Sequence, residues 1–251
     1  MRFISKNQAV FLPEIDSIVI SDLHIGLEHE LIKSGIVIPS QAERMEKRIL
    51  KLIKMTNAKR LVILGDVKHQ VPGISWREEK QIPSFLSTLS KVVEIHITLG
   101  NHDPSLTKLI EGTNVSVHSA KGFRIGDFGF FHGHAWPSRE LLECKTVFMG
   151  HVHPAVELKD RFGYRTVIQV WVITRISKDI GKKYGLAVKR DVKLIVVPAF
   201  NRLIGACVLN SKREEELLGP LLRSEFVDMK NSKVYTLDGI ELGTLGELRF
   251  K

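Results

Sequence analysis

Residues 17–26 read SIVISDLHIG, an apolar run that ends abruptly in a turn containing Asp22 and His24. The short β-branched run predicts a buried strand over Ser17–Ile20. α/β proteins place chemical groups at the carboxyl ends of strands, because the sheet is rigid and the following loop is free to vary. This stretch therefore predicts an α/β chain with a site at the end of its sheet.

The same pattern, an apolar run followed by a polar turn with histidine, occurs four more times. The predicted strands and their turns are Arg60–Leu64 before GDVKH, Glu94–Leu99 before GNHD, Phe128–Phe131 before HGH, and Thr146–Met149 before GHVHP. After His153 the pattern changes to strands alone, at Ala155–Leu158, Thr166–Ile173 and Leu194–Val197. Helix–strand alternation followed by strands predicts two packed mixed sheets flanked by helices.

Helices are predicted between these strands. Ser40 and Glu43 fit a capping box at the start of the first helix, and Pro83 is expected to interrupt or restart the second. The predicted helices are Pro39–Met55, Glu78–Leu89 and Ser138–Cys144, and the predicted turns are Ile125–Phe128 and Asp238–Gly239.

The composition is that of an ordinary globular protein. With 251 residues, 43% hydrophobic and 26% charged, and with no linker-like tract, we expect a single domain over residues 1–251. No apolar run approaches the roughly 20 residues of a membrane span. The first ten residues lack the apolar stretch of a signal peptide, so we expect a cytoplasmic protein. The two cysteines, Cys144 and Cys207, are expected to be reduced and partly buried.

Seven of the ten histidines fall in the five strand-end turns. A lone histidine is best explained structurally, but seven together with carboxylates and an amide indicate a metal site. Carboxylate, amide and imidazole ligands suit Mn, Fe, Zn, Co or Ni. The histidines in the turns are His24, His69, His102, His132, His134, His151 and His153, and their polar companions are Asp22, Asp66, Asn101 and Asp103.

Read in order, DLH at residues 22–24, GD at 65–66, GNHD at 100–103, HGH at 132–134 and GHVH at 150–153 resemble the signature of calcineurin-like metallophosphoesterases. The resemblance covers roughly the first 150 residues and implies a double β-sandwich with outer helices. The GDVKH, VVPAFN (196–201) and LGP (218–220) phrases look like a subgroup of predicted phosphoesterases, some associated with DNA ligases.

The resemblance also implies a division of labour at a centre of two divalent ions, with Mn expected first. One ion would be held by Asp22, His24 and His153, the other by Asn101, His132 and His151, and Asp66 would bridge them. A hydroxide between the ions would attack phosphorus. His102 would protonate the leaving oxygen. Asp103 would either orient His102 or cap the helix that follows Pro104.

Several residues keep two interpretations. His69 and His134 either contact the substrate or line the cleft. Trp136 either stacks on a base or packs in the core. The segment 174–193, an expected loop or hairpin, carries seven basic residues against two acidic ones, more than half of the net charge of +9. Solvation alone explains such a segment, and contact with a phosphate backbone is the alternative.

Three functions therefore stay open. The first is a metal-dependent phosphodiesterase whose substrate is a nucleotide or a nucleic acid. The second is a phosphomonoesterase or pyrophosphohydrolase on the same centre. The third is a metal-containing nucleic-acid-binding module without catalysis, which the intact GNHD motif argues against. The basic charge suits an anionic partner of any of these kinds, and a homo-oligomer is compatible with the sequence.

Overall fold

A computed structural model describes residues 1–111, 113–211 and 219–249, except for the side chain of Lys33. Two mixed β-sheets are packed against each other, and helices cover the outer face of the first sheet. The structure thus confirms the predicted fold class. Leu218 of the LGP phrase lies outside the described residues.

The first sheet has the order β1-β2-β3-β4-β5-β6, with β3 to β6 parallel. Parallel strands need crossover connections, and helices supply most of them here. Its strands are β1 Arg2–Phe3, β2 Val10–Leu12, β3 Ser17–Ile20, β4 Arg60–Ile63, β5 Glu94–Thr98 and β6 Val115–His118. The helices of this half are α1 Leu27–Lys33, α2 Gln41–Thr56, α3 Trp76–Ser90 and α4 Leu106–Leu109.

The second sheet has the order β13-β10-β11-β12-β9-β8-β7, and β14 and β15 extend from β11. Strands β8, β9 and β12 are parallel, so their carboxyl ends meet at one edge. The strands are β7 Phe123–Ile125, β8 Phe128–Phe131, β9 Thr146–Met149, β10 Pro154–Lys159, β11 Arg165–Ile176, β12 Val192–Val196, β13 Cys207–Val208, β14 Lys233–Thr236 and β15 Glu241–Thr244, and helix α5 is Gly181–Tyr184.

Alternate residues of the central strands enter different cores. Val19 and Val62 face the second sheet, where they meet Phe130, Phe148 and the fully buried Trp171. Their neighbours along the strands pack instead under α2 and α3. Because both faces of β3, β4 and β9 are buried, these strands read as continuous apolar runs rather than alternating ones.

Two helix-level predictions were wrong. Ser40 makes no capping hydrogen bond, and its hydroxyl accepts from Gln81 on α3 instead. The capping box occurs at Ser75 and Glu78, which begin α3. Pro83 does not interrupt α3. The buried face of that helix, with Phe85 at its centre, packs into the first core and offsets the hydrogen bond that proline removes.

The remaining predictions of local structure differ from the structure only in detail. Residues 138–144 form a 3-10 turn, Arg139–Glu143, rather than an α-helix. The turns at Gly126 and Gly239 are confirmed, with positive φ at both glycines. The basic segment 174–193 contains the end of β11, a short 3-10 turn, α5 and the start of β12. Cys144 and Cys207 are both buried, and neither forms a disulfide.

Candidate metal centre

The strand-end turns of the two sheets converge on one cluster of histidines and carboxylates. Turns after β3, β4 and β5 supply the ligand candidates of the first sheet, and turns after β8 and β9 supply those of the second. Three groups of three residues could each hold an ion, with ligand atoms within 4.8 Å of one another among the described residues. Two of them consist of predicted ligands: Asp22, His24 and His153 form the first, and Asp66, His132 and His151 form the second. The third, His24, His69 and His102, shares His24 with the first.

Asp66 lies between these groups. Its Oδ2 is 3.5 Å from His24 Nε2 and 3.4 Å from His132 Nε2. Its Oδ1 accepts a hydrogen bond from the backbone amide of His102 at 2.8 Å. Asn101 joins the second group, because its Oδ1 is 3.1 Å from His132 Nε2. The structure therefore brings together all seven residues predicted as ligands.

Backbone conformation marks the same residues. Asp22, His24, Asp66, His151 and His153 all have positive φ, and they make up five of the eight non-glycine residues in that region within the described chain. Left-handed backbone costs of order 1–3 kcal/mol at a residue other than glycine and concentrates at functional sites. The turns are bent so that successive side chains reach the same point.

Hydrogen bonds hold these bent turns. The amide of His24 donates to the carbonyl of Asp66 at 2.8 Å. Asn201 Nδ2 donates to the carbonyl of Leu23 at 2.9 Å. The hydroxyl of Ser21, which is buried, donates to the carboxylate of Asp22. Neither Ser21 nor Asn201 was predicted as part of the site, although Asn201 ends the VVPAFN phrase.

Close packing explains two glycines. A β-carbon at Gly100 would collide with the carboxylate and amide of Asp66. One at Gly219 would collide with the carbonyl of Gly133, which lies between His132 and His134. The GNHD turn thus packs directly against Asp66, and the loop at Gly219 packs directly against the HGH turn, at distances that only glycine allows.

Backbone carbonyls fix the orientation of the imidazole rings. Nδ1 of His132 donates to the carbonyl of Leu64 at 2.6 Å, and Nδ1 of His153 donates to that of Gly205 at 3.0 Å. This contact turns the opposite nitrogen, Nε2, toward the other ligand candidates, as in protein metal sites. Nε2 of His24 and Nε2 of His153 are buried and make no hydrogen bond of good geometry, although the carboxylates of Asp66 and Asp22 lie 3.5 Å and 3.3 Å away. Divalent ions with imidazole and carboxylate ligands fit these atoms.

The electrostatics suit the same ligands. Burial lowers the pKa of His24 to about 3 and that of His151 to about 4, so both imidazoles are neutral, the form that binds metals. Burial also acts to lower the pKa of His132, but the carboxylates of Asp66 and Asp22 outweigh it and raise that pKa to about 9.

His102 lies beside this cluster. Its Nδ1 donates to the carbonyl of His69 at 2.6 Å, which leaves Nε2 free. Its ring centre is 4.8 Å from that of His24. The side chain of Asp103 makes no hydrogen bond with His102 or with the start of α4 among the described residues. Its oxygens accept from the amides of Gly100 and Val67, both at 2.9 Å. Burial, then the charge of Asp66, raises the pKa of Asp103 to about 6.

His69 and His134 lie on opposite sides of the centre. His69 Nδ1 is 3.3 Å from His24 Nδ1, and its Nε2 is 3.1 Å from the carboxylate of Glu30 on α1. The ring of His134 is 5.2 Å from that of His132. Glu78 accepts from the amide of His69 at 2.8 Å. Glu30 and Glu78 were missed by the sequence prediction, although the Ser75-x-x-Glu78 pattern of a capping box marked the second.

The sequence profile of calcineurin-like phosphoesterases matches residues 17–176. The fold and the site define a metallophosphoesterase, and the chain belongs to the calcineurin-like phosphoesterase family. It is a hydrolase that acts on phosphate esters. No curated protein matched the sequence. Among the described residues, no helix is both long and apolar enough to cross a membrane.

Solved structures with similar folds include nuclease MPE of Pseudomonas putida. It is 19% identical, with coverage of 94% of this chain and 92% of that chain and a TM-score of 0.57. Yfce, a phosphoesterase from E. coli, is 20% identical over 57% of this chain and 73% of its own, with a TM-score of 0.37. A predicted phosphoesterase from Streptococcus pneumoniae is 12% identical, with coverage of 90% of this chain and 91% of that chain and a TM-score of 0.33. At these identities the likeness to nuclease MPE concerns the fold.

Proposed function

We propose that this protein is a phosphodiesterase that uses two divalent ions, with Mn as the first candidate metal. Asp22, His24 and His153 would hold one ion, and Asn101, His132 and His151 would hold the other. The observation that carries this proposal is the position of the Asp66 carboxylate, 3.5 Å from His24 Nε2 and 3.4 Å from His132 Nε2. One carboxylate oxygen thus lies within 3.5 Å of a ligand candidate in each group, which supports a bridging role.

The ions would supply Lewis acidity, which activates water and neutralises charge on the phosphoryl oxygens. The chain's own residues would position the catalytic groups and protonate the leaving oxygen. The His69 carbonyl fixes the Nδ1 proton of His102, so Nε2 is the atom that would give a proton to the leaving oxygen. Asp103 would act indirectly, because it ties the GNHD turn to the amides of Val67 and Lys68 beside Asp66.

His69 and His134 would contact the substrate from the two sides of the centre. The substrate would be a nucleotide or a nucleic acid. Support comes from the GDVKH, VVPAFN and LGP phrases, which look like the ligase-associated subgroup, from the net charge of +9, and from the fold shared with a nuclease.

The proposal is tested by metal analysis and a substrate panel. Protein loaded with Mn should contain about two ions per chain, and anomalous scattering should place Asp66 against both. Turnover of a bis-aryl phosphate should exceed turnover of the matching mono-aryl phosphate, and EDTA should abolish it.

Two results would overturn this proposal. A fully loaded crystal with a single ion, or with Asp66 turned away, would defeat the two-ion centre. Preference for the mono-aryl ester would assign the centre to phosphomonoesters instead.

A further inference from the structure

A concave surface of about 870 Å³ opens between the HGH turn and the basic segment. A second concavity of about 440 Å³ adjoins it through a shared wall residue, Arg139. We call the two together the basic groove. Its basic wall residues are Lys121, Arg139, Lys183, Lys189 and Arg190, its acidic ones are Glu140 and Glu143, and Trp136 and Tyr184 also line it.

The groove begins at the metal centre. His134 lines its inner end. The ring of His134 lies 5.2 Å from that of His132 and 6.1 Å from that of His151, both ligand candidates. A polynucleotide with one phosphodiester at the metal centre would therefore continue into the groove on the side of His134.

The charge of the groove is exposed and unpaired. Its five basic side chains are exposed, and none of them makes an ion pair with any described residue. The nearby Lys182, by contrast, points to Asp179 at 3.1 Å. Of the two acidic residues in the walls, Glu143 is paired with Arg124 at 3.2 Å, and Glu140 accepts from the hydroxyl of Ser138. The free charge of the groove is thus predominantly positive.

An aromatic platform lies along this positive surface. Trp136 is partly buried and contacts Phe226 at a ring distance of 6.4 Å. Lys183 Nζ lies 4.0 Å from the centre of the Trp136 ring. The hydroxyl of Tyr184 donates to the carbonyl of Pro137 at 2.6 Å. That bond fastens α5 of the basic segment to the turn that carries Trp136.

We propose that the basic groove binds a single-stranded polynucleotide that flanks the phosphodiester at the metal centre. Exposed cations that track a backbone, next to an aromatic ring that stacks on a base, are the means by which proteins hold single strands. Trp136 would stack on a base, and Lys121, Arg139 and Lys183 would contact phosphates. The segment 174–193 is then part of the substrate site rather than a solvated loop. The placement of the scissile bond rests on the proposed function.

Binding is the direct test, with the Mn-loaded full chain and a fluorescent oligothymidylate of about 15 nucleotides. Phosphorothioate linkages keep the probe intact during titration. The variant Lys121→Ala/Arg139→Ala/Lys183→Ala should bind at least about tenfold more weakly. The slope of log affinity against log salt should become shallower by about two, because a single strand releases roughly 0.7 counterions per phosphate contact.

The matched control is Lys47→Ala/Lys51→Ala/Lys54→Ala on α2, which removes the same charge from exposed positions outside the groove. Its affinity should stay near that of the wild type. Trp136→Leu should weaken binding about tenfold, the scale of one lost base stack. Trp76→Leu is its control, because Trp76 is exposed and pairs with Lys80 at 4.2 Å but lies on α3.

Equal weakening by both triple variants would show that net charge alone attracts the probe, and it would overturn the proposal that the groove binds the strand. Unchanged binding by the groove variant would do the same, and the single variant Lys183→Gln repeats the test if the triple variant fails to fold. Tighter binding of a duplex of equal length would overturn the single-strand assignment. Failure of the proposed function appears separately, as wild-type protein that does not hydrolyse the small diester.

Discussion

Two clusters of histidines in this molecule have the same residue type and opposite surroundings. At the metal centre, histidines follow the strands, several with positive φ, and face buried carboxylates. At the edge of the first sheet, His96 and His118 lie within adjacent parallel strands. His96 Nδ1 is 3.0 Å from His118 Nε2, and His96 Nε2 is 3.0 Å from Glu94.

The difference lies in the nitrogen atoms. Both nitrogens of His96 have partners, and His118 stacks on Phe123 with ring centres 3.7 Å apart. Nε2 of His24 and Nε2 of His153 are buried and make no hydrogen bond of good geometry, and each faces a buried carboxylate, that of Asp66 at 3.5 Å and that of Asp22 at 3.3 Å. A buried nitrogen without a hydrogen bond costs free energy that a ligand recovers. Buried nitrogens that face buried carboxylates from bent backbone, rather than histidines as such, therefore distinguish the functional cluster from the structural pair.

The largest effect should come from neutralising a carboxylate at the metal centre, and the same change beside the edge pair should have no effect on turnover. Asp66→Asn should reduce diester turnover by more than about 10⁴-fold, because it removes the shared ligand and with it the contribution of the ions. The metal content of the purified variant should fall in parallel. Glu94→Gln, the same change beside His96, should leave turnover and metal content unaltered. If Glu94→Gln were equally damaging, the two clusters would not differ as described.

The next effect concerns proton transfer. His102→Ala should keep its metal and lose about 10²–10⁴-fold in turnover of a diester with an alkoxide leaving group. The loss should shrink for nitrophenolate, which leaves without a proton. His96→Ala is the control in the other cluster and should match the wild type on both esters. A His102→Ala variant with wild-type turnover of the alkoxide ester would refute the general-acid role.

The smallest effect should appear in the edge pair, as a dependence of stability on pH. Burial, with a contribution from the neighbouring His96, lowers the pKa of His118 from 6.5 to about 4. The folded state thus favours the neutral ring, and this stabilisation is fully present above about pH 6.5 and is lost as the pH falls toward 4. Thermal denaturation of His118→Phe should therefore show a smaller drop in Tm between pH 7 and 4 than the wild type.

The wild type and His118→Phe should be compared at the same metal content, so that proton uptake by the site histidines is common to both and cancels in the difference. Equal drops in Tm for wild type and His118→Phe would show that the pair does not resist protonation. Diester turnover at pH 7 should be the same in both proteins.

Much of the fold could be predicted from local pattern, and the exceptions have specific causes. The strands before Asp22, Asp66 and Asn101 were predicted within about one residue, because a buried strand next to a glycine turn leaves a strong local signal. The capping box was assigned to Ser40 and occurs at Ser75. Both carry glutamate three residues later, and only packing against Gln81 diverts the Ser40 hydroxyl.

The metal site divides in the same way. The sequence by itself determined which side chains could be ligands, since residue type and strand-end position are local properties, and the structure brings all seven together. Tertiary structure alone decided which ring nitrogen of each histidine faces the centre. The carbonyls that fix the rings belong to Leu64, His69 and Gly205, and they are distant in sequence from His132, His102 and His153.

The basic groove was also decided by tertiary structure. The sequence determined that residues 174–193 carry excess positive charge, but a charge count is the same for a solvated loop and for a binding wall. Only the packing of α5 against the Trp136 turn brings Lys183 and Trp136 together, 47 residues apart in sequence. Contacts between segments so far apart depend on how the sheets stack, and no local pattern of residues encodes that arrangement.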